Sequence, residues 1–312
     1  MNRRQQFLSE ERYNNFVVNY NKSFVFWADK LFQADSPEQE KSVRARHFQT
    51  LHLRNILMLY TAGEPIDTLL GPLEVLIESY EELQKRLADY EQIENITPLT
   101  IDDWLDEYEE CMQVISLCIL LHRTDLLKRF VALTDYAGYA GTDTLYEDLL
   151  VKTLPDRQDV DQWYHDVYTL LIRAIYAEEK QDASKFLQEY CENWYPAFEQ
   201  APWHDSHFDG DEGSYVGYWA LEAGAIAFLY GIDDSKVDHM VYPRDLVEYA
   251  RNYGGSKVAQ VGRIEAGQPC NKAGYWFTPA QANSRRYFKQ GEIMPKISDS
   301  HWGDTIWYWS GE

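Results

Sequence analysis

YVGYWALEAGAIAFLYGIDDS, residues 215–235, is the stretch on which the fold turns. Ala220, Ala223, Gly224 and Ala227 recur at three- and four-residue spacing, which lays a flat stripe along a helix and lets a second helix approach closely. Tyr218, Trp219, Leu221, Ile226, Phe228 and Leu229 supply bulk on the other faces, so the spacing predicts a central, largely buried helix. Gly231 offers a left-handed stop, and Asp233 or Asp234 can cap the following turn. Pro243 suits the first turn of a further helix, YPRDLVEYAR (242–251), with Asp245 at its positive end. Glu222 is the exception in this apolar run. A carboxylate there is paired or titrates abnormally, and we read it as structural: bonded to a loop backbone, or paired with His204, His207 or Arg173.

Upstream, the punctuation is helical throughout. LHLRNILMLYTAG (51–63) is apolar-periodic and ends on Gly63, and a second helix is predicted to begin at Pro72. Thr100 reads as the cap of the next, with Asp102 and Asp103 in its first turn, and TDLLKRFVALTDYAG (124–138) as another, capped by Thr124 and stopped by Gly138. The pattern continues over 142–152, 159–178 and 182–200. Short breaks between such helices predict antiparallel helical hairpins packed side by side. After Gly254 and Gly255 the style changes to frequent Gly, Pro and aromatics, and TIWYW (305–309) reads as a strand. The expected fold is therefore mainly α, helical hairpins packed into one α-helical domain, followed by a small β-rich C-terminal module. Its parts are 1–140, 141–252 and 253–312.

Composition narrows the function. With 45% hydrophobic residues over 312 positions the chain is globular, and no apolar run approaches a membrane span. The start, MNRRQQFLSEERYNNF, lacks the apolar block of a secretory signal, and the four cysteines form no CxxC pair. A reduced, cytoplasmic protein is expected. Net charge is −22, and its distribution is uneven: residues 61–252 hold 13 basic and 40 acidic residues, while both ends are slightly basic. Such a field repels nucleic acid and anionic lipid, and it favours a basic protein partner.

HDSHFDGDEGS (204–214) has the ingredients of a metal site, with His204 and His207 beside Asp209, Asp211 and Glu212. Known metal helices space their histidines four apart around a glutamate, and calcium loops end in a bidentate glutamate; this stretch has neither. An Asp- and Gly-rich loop between helices needs no metal to explain it. The expectation is that His204 and His207 fix the loop while the acids face outward. No P-loop, dinucleotide fingerprint or G-x-S-x-G elbow is present, and Ser256 and Ser284 have no base beside them.

Three segments, WYHDVYTLLIRAIYAEEKQDASKFLQEYCENWYPAFEQAPWHDSH (163–207), YVGYWALEAGAIAFLYGIDDS (215–235) and YPRDLVEYAR (242–251), agree in order and spacing with a known family. They resemble the PoNi-type immunity proteins, and residues 1–130 resemble that family's N-terminal helical part more loosely. The tail GQPCNKAGYWFTPAQANSRRYFKQGEIMP (267–295), with TIWYW, is similar to a short module appended to several bacterial toxin-immunity proteins. The resemblance implies an all-helical inhibitor of a secreted nuclease, a DNase of the type VI or contact-dependent systems, with no catalytic residue and no cofactor.

A nuclease presents a basic cleft, so dense negative charge on its inhibitor gives complementarity and fast capture. The candidate partner-binding residues are Asp102, Asp103, Asp106, Glu107, Glu109 and Glu110, together with Asp209, Asp211 and Glu212. Trp104, Tyr108, Trp163 and Tyr164, interleaved with acids, are candidate anchors. Two other readings compete: a metal-dependent hydrolase built on His204, His207, Asp209 and Glu222, and a helical adaptor for some other basic protein.

Overall fold

Serine caps open the first two helices. Ser9 Oγ accepts the Arg12 amide at the start of α1 (Glu10–Trp27), and Ser36 accepts that of Gln39 at the start of α2 (Pro37–Ala62). Gly63 ends α2 in the left-handed conformation, φ 86°, as its position in the sequence suggests. A 3-10 turn (Ile66–Leu69) leads into α3 (Leu70–Glu91), so Pro72 lies inside the first turn instead of opening the helix. The computed structural model describes residues 2–253, 263–270, 272–278, 284, 286–297 and 305–311.

Three sequence expectations are corrected in the middle of the chain. Thr100 caps nothing: α4 begins at Leu105 and runs to Leu120, with Asp106 and Glu107 in its first turn, while the Glu107 carboxylate reaches back to the Thr100 amide. Periodicity over 159–178 also predicts one long helix, but only a 3-10 turn (Asp166–Tyr168) and α7 (Thr169–Ile175) form. The preceding residues run extended because tertiary hydrogen bonds claim their backbone. Asp143, the N-cap of α6 (Thr144–Leu150), also accepts the Tyr164 amide at 3.0 Å, and Thr144 donates its amide to Gln162 O at 2.8 Å. Between these lies α5 (Thr124–Tyr136), which begins at Thr124 itself, and after them come α8 (Lys180–Ala197), α9 (Leu221–Tyr230) and α10 (Arg244–Asn252).

Chain neighbours pack pairwise, α2 on α3, α4 on α5 and α7 on α8, while α9 meets α4, α6, α7 and α8. That makes α9 the central helix, with Leu221 to Ala227 buried. Its small-residue stripe does what the spacing implies: a Cβ on Gly224 would stand 2.6 Å from Pro243 Cγ and 2.9 Å from Val247 Cγ2, at the start of α10. Tyr218, Trp219 and Ala220 do not share that helix. They lie in an extended approach to it, where the buried Gln5 amide brackets Tyr218, accepting from its N–H at 2.9 Å and donating to its C=O at 2.5 Å. Cys111 and Cys118, seven apart on α4, are fully buried free thiols on the core stripe. No described helix is long and apolar enough to cross a membrane.

Residues 1–251 form one compact unit and 252–312 another. Among the described residues of the second, four short antiparallel strands, β1 (Arg263–Glu265), β2 (Gly274–Phe277), β3 (Arg286–Phe288) and β4 (Ile306–Gly311), run in the order β1-β4-β2-β3. Ile264, Cys270, Trp276, Phe288, Met294 and Trp307 make its core, with Trp307 Nε1 donating to Pro295 O at 2.8 Å. Gly254 and Gly255, where the sequence changes style, and Ser256 lie outside the described residues.

Candidate functional site

The first of the two acidic stretches borders a cavity that the loop acids do not line. The cavity has a volume of about 410 Å³ and lies between α2, the first two turns of α4 and residues 202–219. Leu53, Leu57, Leu99 and Val216 give it apolar walls, Trp194, Trp203 and Trp219 line it with indoles, and Asp106, Glu107, Glu109 and Glu110 bring carboxylates. Mostly apolar walls with a few convergent polar groups are the usual form of a binding cavity.

The α4 acids divide by helical geometry. Asp102, Asp103 and Asp106 are exposed, with Asp102 accepting from Tyr139 Oη. Glu107 and Glu110 are half-buried, and Glu110 Oε1 accepts from Tyr80 Oη at 2.7 Å and from Gln49 Nε2 at 3.0 Å. Glu109, placed with the outward acids by sequence reasoning, must be moved inward. It is 2% exposed, because it shares the three- and four-residue spacing of Met112, Gln113 and Ser116 on the buried face. Its Oε1 accepts from Gln113 Nε2 at 2.7 Å and its Oε2 from Trp203 Nε1 at 2.8 Å. Burial drives its pKa well above the usual carboxylate range, the Trp203 bond opposes that rise, and the nearby charges of Glu222 and Glu110 add to it.

The loop acids all face outward, but two of them are tied to α1. Asp211 accepts from Ser9 Oγ and Glu212 from Asn15 Nδ2 at 3.1 Å, while Asp209 is exposed. Beneath them Arg12, 3% exposed, stacks over Tyr215 and donates to the carbonyls of Gly210 and His207. Sequence reasoning missed this strap; its one signal was an arginine in a helical first turn that otherwise favours acids. His204 packs edge-on to Tyr195 with ring centroids 4.1 Å apart. His207 stacks on Phe7 at 4.3 Å, and its Nδ1 lies 2.8 Å from Tyr218 Oη. Among the described residues no group of three or more His, Cys, Asp and Glu side chains is placed to hold a metal ion.

Glu222 has partners the sequence did not suggest. Its Oε1 accepts from Tyr190 Oη at 2.7 Å and Trp194 Nε1 at 3.0 Å, and its Oε2 is buried without a partner. Neither His204 nor His207 bonds to it, and Arg173 lies instead over the Phe186 ring. Burial pushes its pKa up to about 7. Trp194 and Trp203 stack at 5.1 Å and 11°, so two parallel indoles serve the two buried acids, Trp194 for Glu222 and Trp203 for Glu109. Of the proposed anchors, Trp104, 63% exposed, and Tyr164 are both exposed, whereas Tyr108 is fully buried and donates to Asp143 at 2.8 Å. Tyr108 is therefore core, and Trp163 is half-buried with its Nε1 3.1 Å from Thr169 Oγ1.

Comparison with known proteins adds a family and a fold. Residues 141–246 match the family model described as PoNe immunity proteins (PoNi), C-terminal. Among solved structures, the crystal structure of protein PA2201 from Pseudomonas aeruginosa is similar, with a TM-score of 0.58 at 20% identity, over 81% of this chain and 93% of that one. At that identity the likeness speaks for the fold alone. No curated protein matches.

Proposed function

We propose, on the premise that this chain belongs to the PoNi-type immunity family through its residues 141–246, that it binds and neutralises a cognate nuclease toxin. The family match is the observation that carries this reading. The finer reading is that the toxin is a DNase delivered by type VI secretion to competing bacteria, and that the chain works in the cytoplasm as a stoichiometric inhibitor with no chemistry of its own. Residues 1–140 and 141–252 act as the N-terminal helical part and the PoNi-like part of that inhibitor, with 253–312 a small β-rich module following them.

The contact surface is acidic, and of its exposed acids Asp106 also lines the cavity. Asp102, Asp103 and Asp106 around the start of α4, and Asp209, Asp211 and Glu212 in the loop, stand where a basic protein can reach them, and Trp104 offers exposed aromatic area beside the first group. Rigidity supports the same reading. The 204–214 loop is strapped by Arg12, Ser9 and Asn15, so little conformational freedom needs to be lost when a partner binds. The test is co-purification with the nuclease encoded beside the gene, followed by DNA cleavage with and without this protein. A stoichiometric complex that stops cleavage supports the reading; cleavage unchanged at molar excess of the protein overturns it.

A further inference from the structure

We infer that the cavity between α2, α4 and residues 202–219 receives a cationic side chain, an arginine or lysine of the bound nuclease, as the anchor of the complex. This rests on the immunity reading and specifies how its surface recognises the partner. The cavity carries the argument, and the acids only decide which chemistry fills it.

The lining matches both halves of such a side chain. An aliphatic stem needs apolar walls, which Leu53, Leu57 and Val216 provide, and a cationic head is attracted to electron-rich aromatic rings, of which Trp203 and Trp219 line the cavity. The head also needs acceptors not already taken. Glu107 gives Oε2 to the Thr100 amide, and Glu110 gives Oε1 to Tyr80 and Gln49. The other oxygen of each accepts no hydrogen bond among the described residues. Behind Glu110, the fully buried Gln49 has an Oε1 without a partner, a further sign that acceptors outnumber donors at this end.

The competing occupant is an anion, since Arg46 and Arg54 also line the cavity and Arg54 Nε is buried without a partner. Both guanidiniums spend an Nη2 on backbone carbonyls, Arg46 on Pro98 at 2.7 Å and Arg54 on Ser214 at 3.2 Å. Apart from Glu109, three carboxylates (Asp106, Glu107 and Glu110) share the lining with these two cations; the carboxylates belong to the 61–252 segment of 40 acidic and 13 basic residues, and the two arginines to the slightly basic residues before it. A cation is favoured by that balance. A buried, charge-assisted contact in an aromatic pocket is also where interface energy concentrates.

The experiment uses the full chain and four capped or simple probes: acetyl-arginine amide, acetyl-lysine amide, acetyl-norleucine amide and inorganic phosphate. The readout is the indole N–H signals of Trp203 and Trp219 in nitrogen–proton correlation spectra. The inference expects saturable shifts with the arginine or lysine amide, weakened about tenfold by Glu110→Gln and Glu107→Gln. Glu107→Gln and Glu110→Gln should also weaken capture of the nuclease about tenfold. Asp106→Asn, an exposed rim change that leaves the buried network intact, should weaken both less, and thermal melts check that each variant folds. Equal shifts with norleucine amide, shifts with phosphate instead, or no shifts at all would overturn the cationic assignment. Cation binding in the cavity with nuclease capture untouched by the variants would overturn the anchor role. If wild-type protein captures no nuclease while the amides still bind, the immunity reading fails and the cation cavity stands.

Discussion

Glu222 sits where a helix start, two hydrogen-bond donors and complete burial compete over one proton. Folding raises its pKa from 4.5 to about 7, chiefly through burial, with Tyr190 and Trp194 pulling the other way. Between those values the native state keeps a proton that the unfolded chain has lost. This group's contribution is therefore fully present below the unfolded pKa and is lost as pH rises through the folded one, a change of about 3 kcal/mol. Thermal melts from pH 5 to 8 should show the midpoint falling by on the order of 5 °C, and Glu222→Gln should flatten part of that slope. Glu109, raised in the same direction, keeps the rest. Equal slopes in both proteins would mean that Glu222 does not titrate in this range. A lone acid in an apolar run announced this residue in the sequence. Its partners were not legible, because Tyr190 and Trp194 lie on another helix, about 30 positions away.

At the scale of elements, α5, α6 and the extended segment after them are held by one guanidinium. Arg157, 8% exposed in its side chain, bridges Asp135 at 2.6 Å and Glu147 at 2.6 Å. Removing one side of a buried pair leaves the other charge unpaired, so Arg157→Ala should destabilise the protein by about 3–5 kcal/mol in urea unfolding. A loss under 1 kcal/mol would show that the clamp adds little beyond its geometry. The α9–α10 contact makes a second case. Gly224→Ala puts a methyl group within 2.6 Å of Pro243 and should cost about 1–3 kcal/mol in urea unfolding, and no loss would show that the two helices part freely. The α9 stripe, the Gly63 stop and the buried cysteines were readable from spacing because they depend on residues a turn apart. The missing helix over 159–165 and the late start of α4 were not, since bonds accepted by carboxylates outside a helical turn decide them: Asp143 takes the Tyr164 amide across the fold, and Glu107 takes the Thr100 amide from beyond its own helix. Glu109 was misplaced for a simpler reason: two adjacent acids on a helix point about 100° apart, so Glu109 turns into the core while its neighbour Glu110 stays half-buried.

For the molecule as a whole, charge is the property that reaches furthest. With a net −22, concentrated in residues 61–252, association with a basic nuclease should be steered. Raising salt from about 50 to 500 mM should slow association by roughly tenfold or more while dissociation changes little. Reversing the exposed acids Asp103 and Asp209 to lysine should act on the same rate, and an unchanged rate at low salt would remove those faces from the encounter. The family was legible in segments that build the helical body, 163–207, 215–235 and 242–251. The cavity was not, because Glu109, Trp203 and Leu53 meet only once α2, α4 and the 202–219 segment are assembled. The central claim is inhibition of a nuclease. The measurement that reaches it most directly is cleavage of plasmid DNA by the neighbouring nuclease, titrated with this protein. The account predicts that cutting ceases near one equivalent. Undiminished cutting at tenfold excess would contradict it.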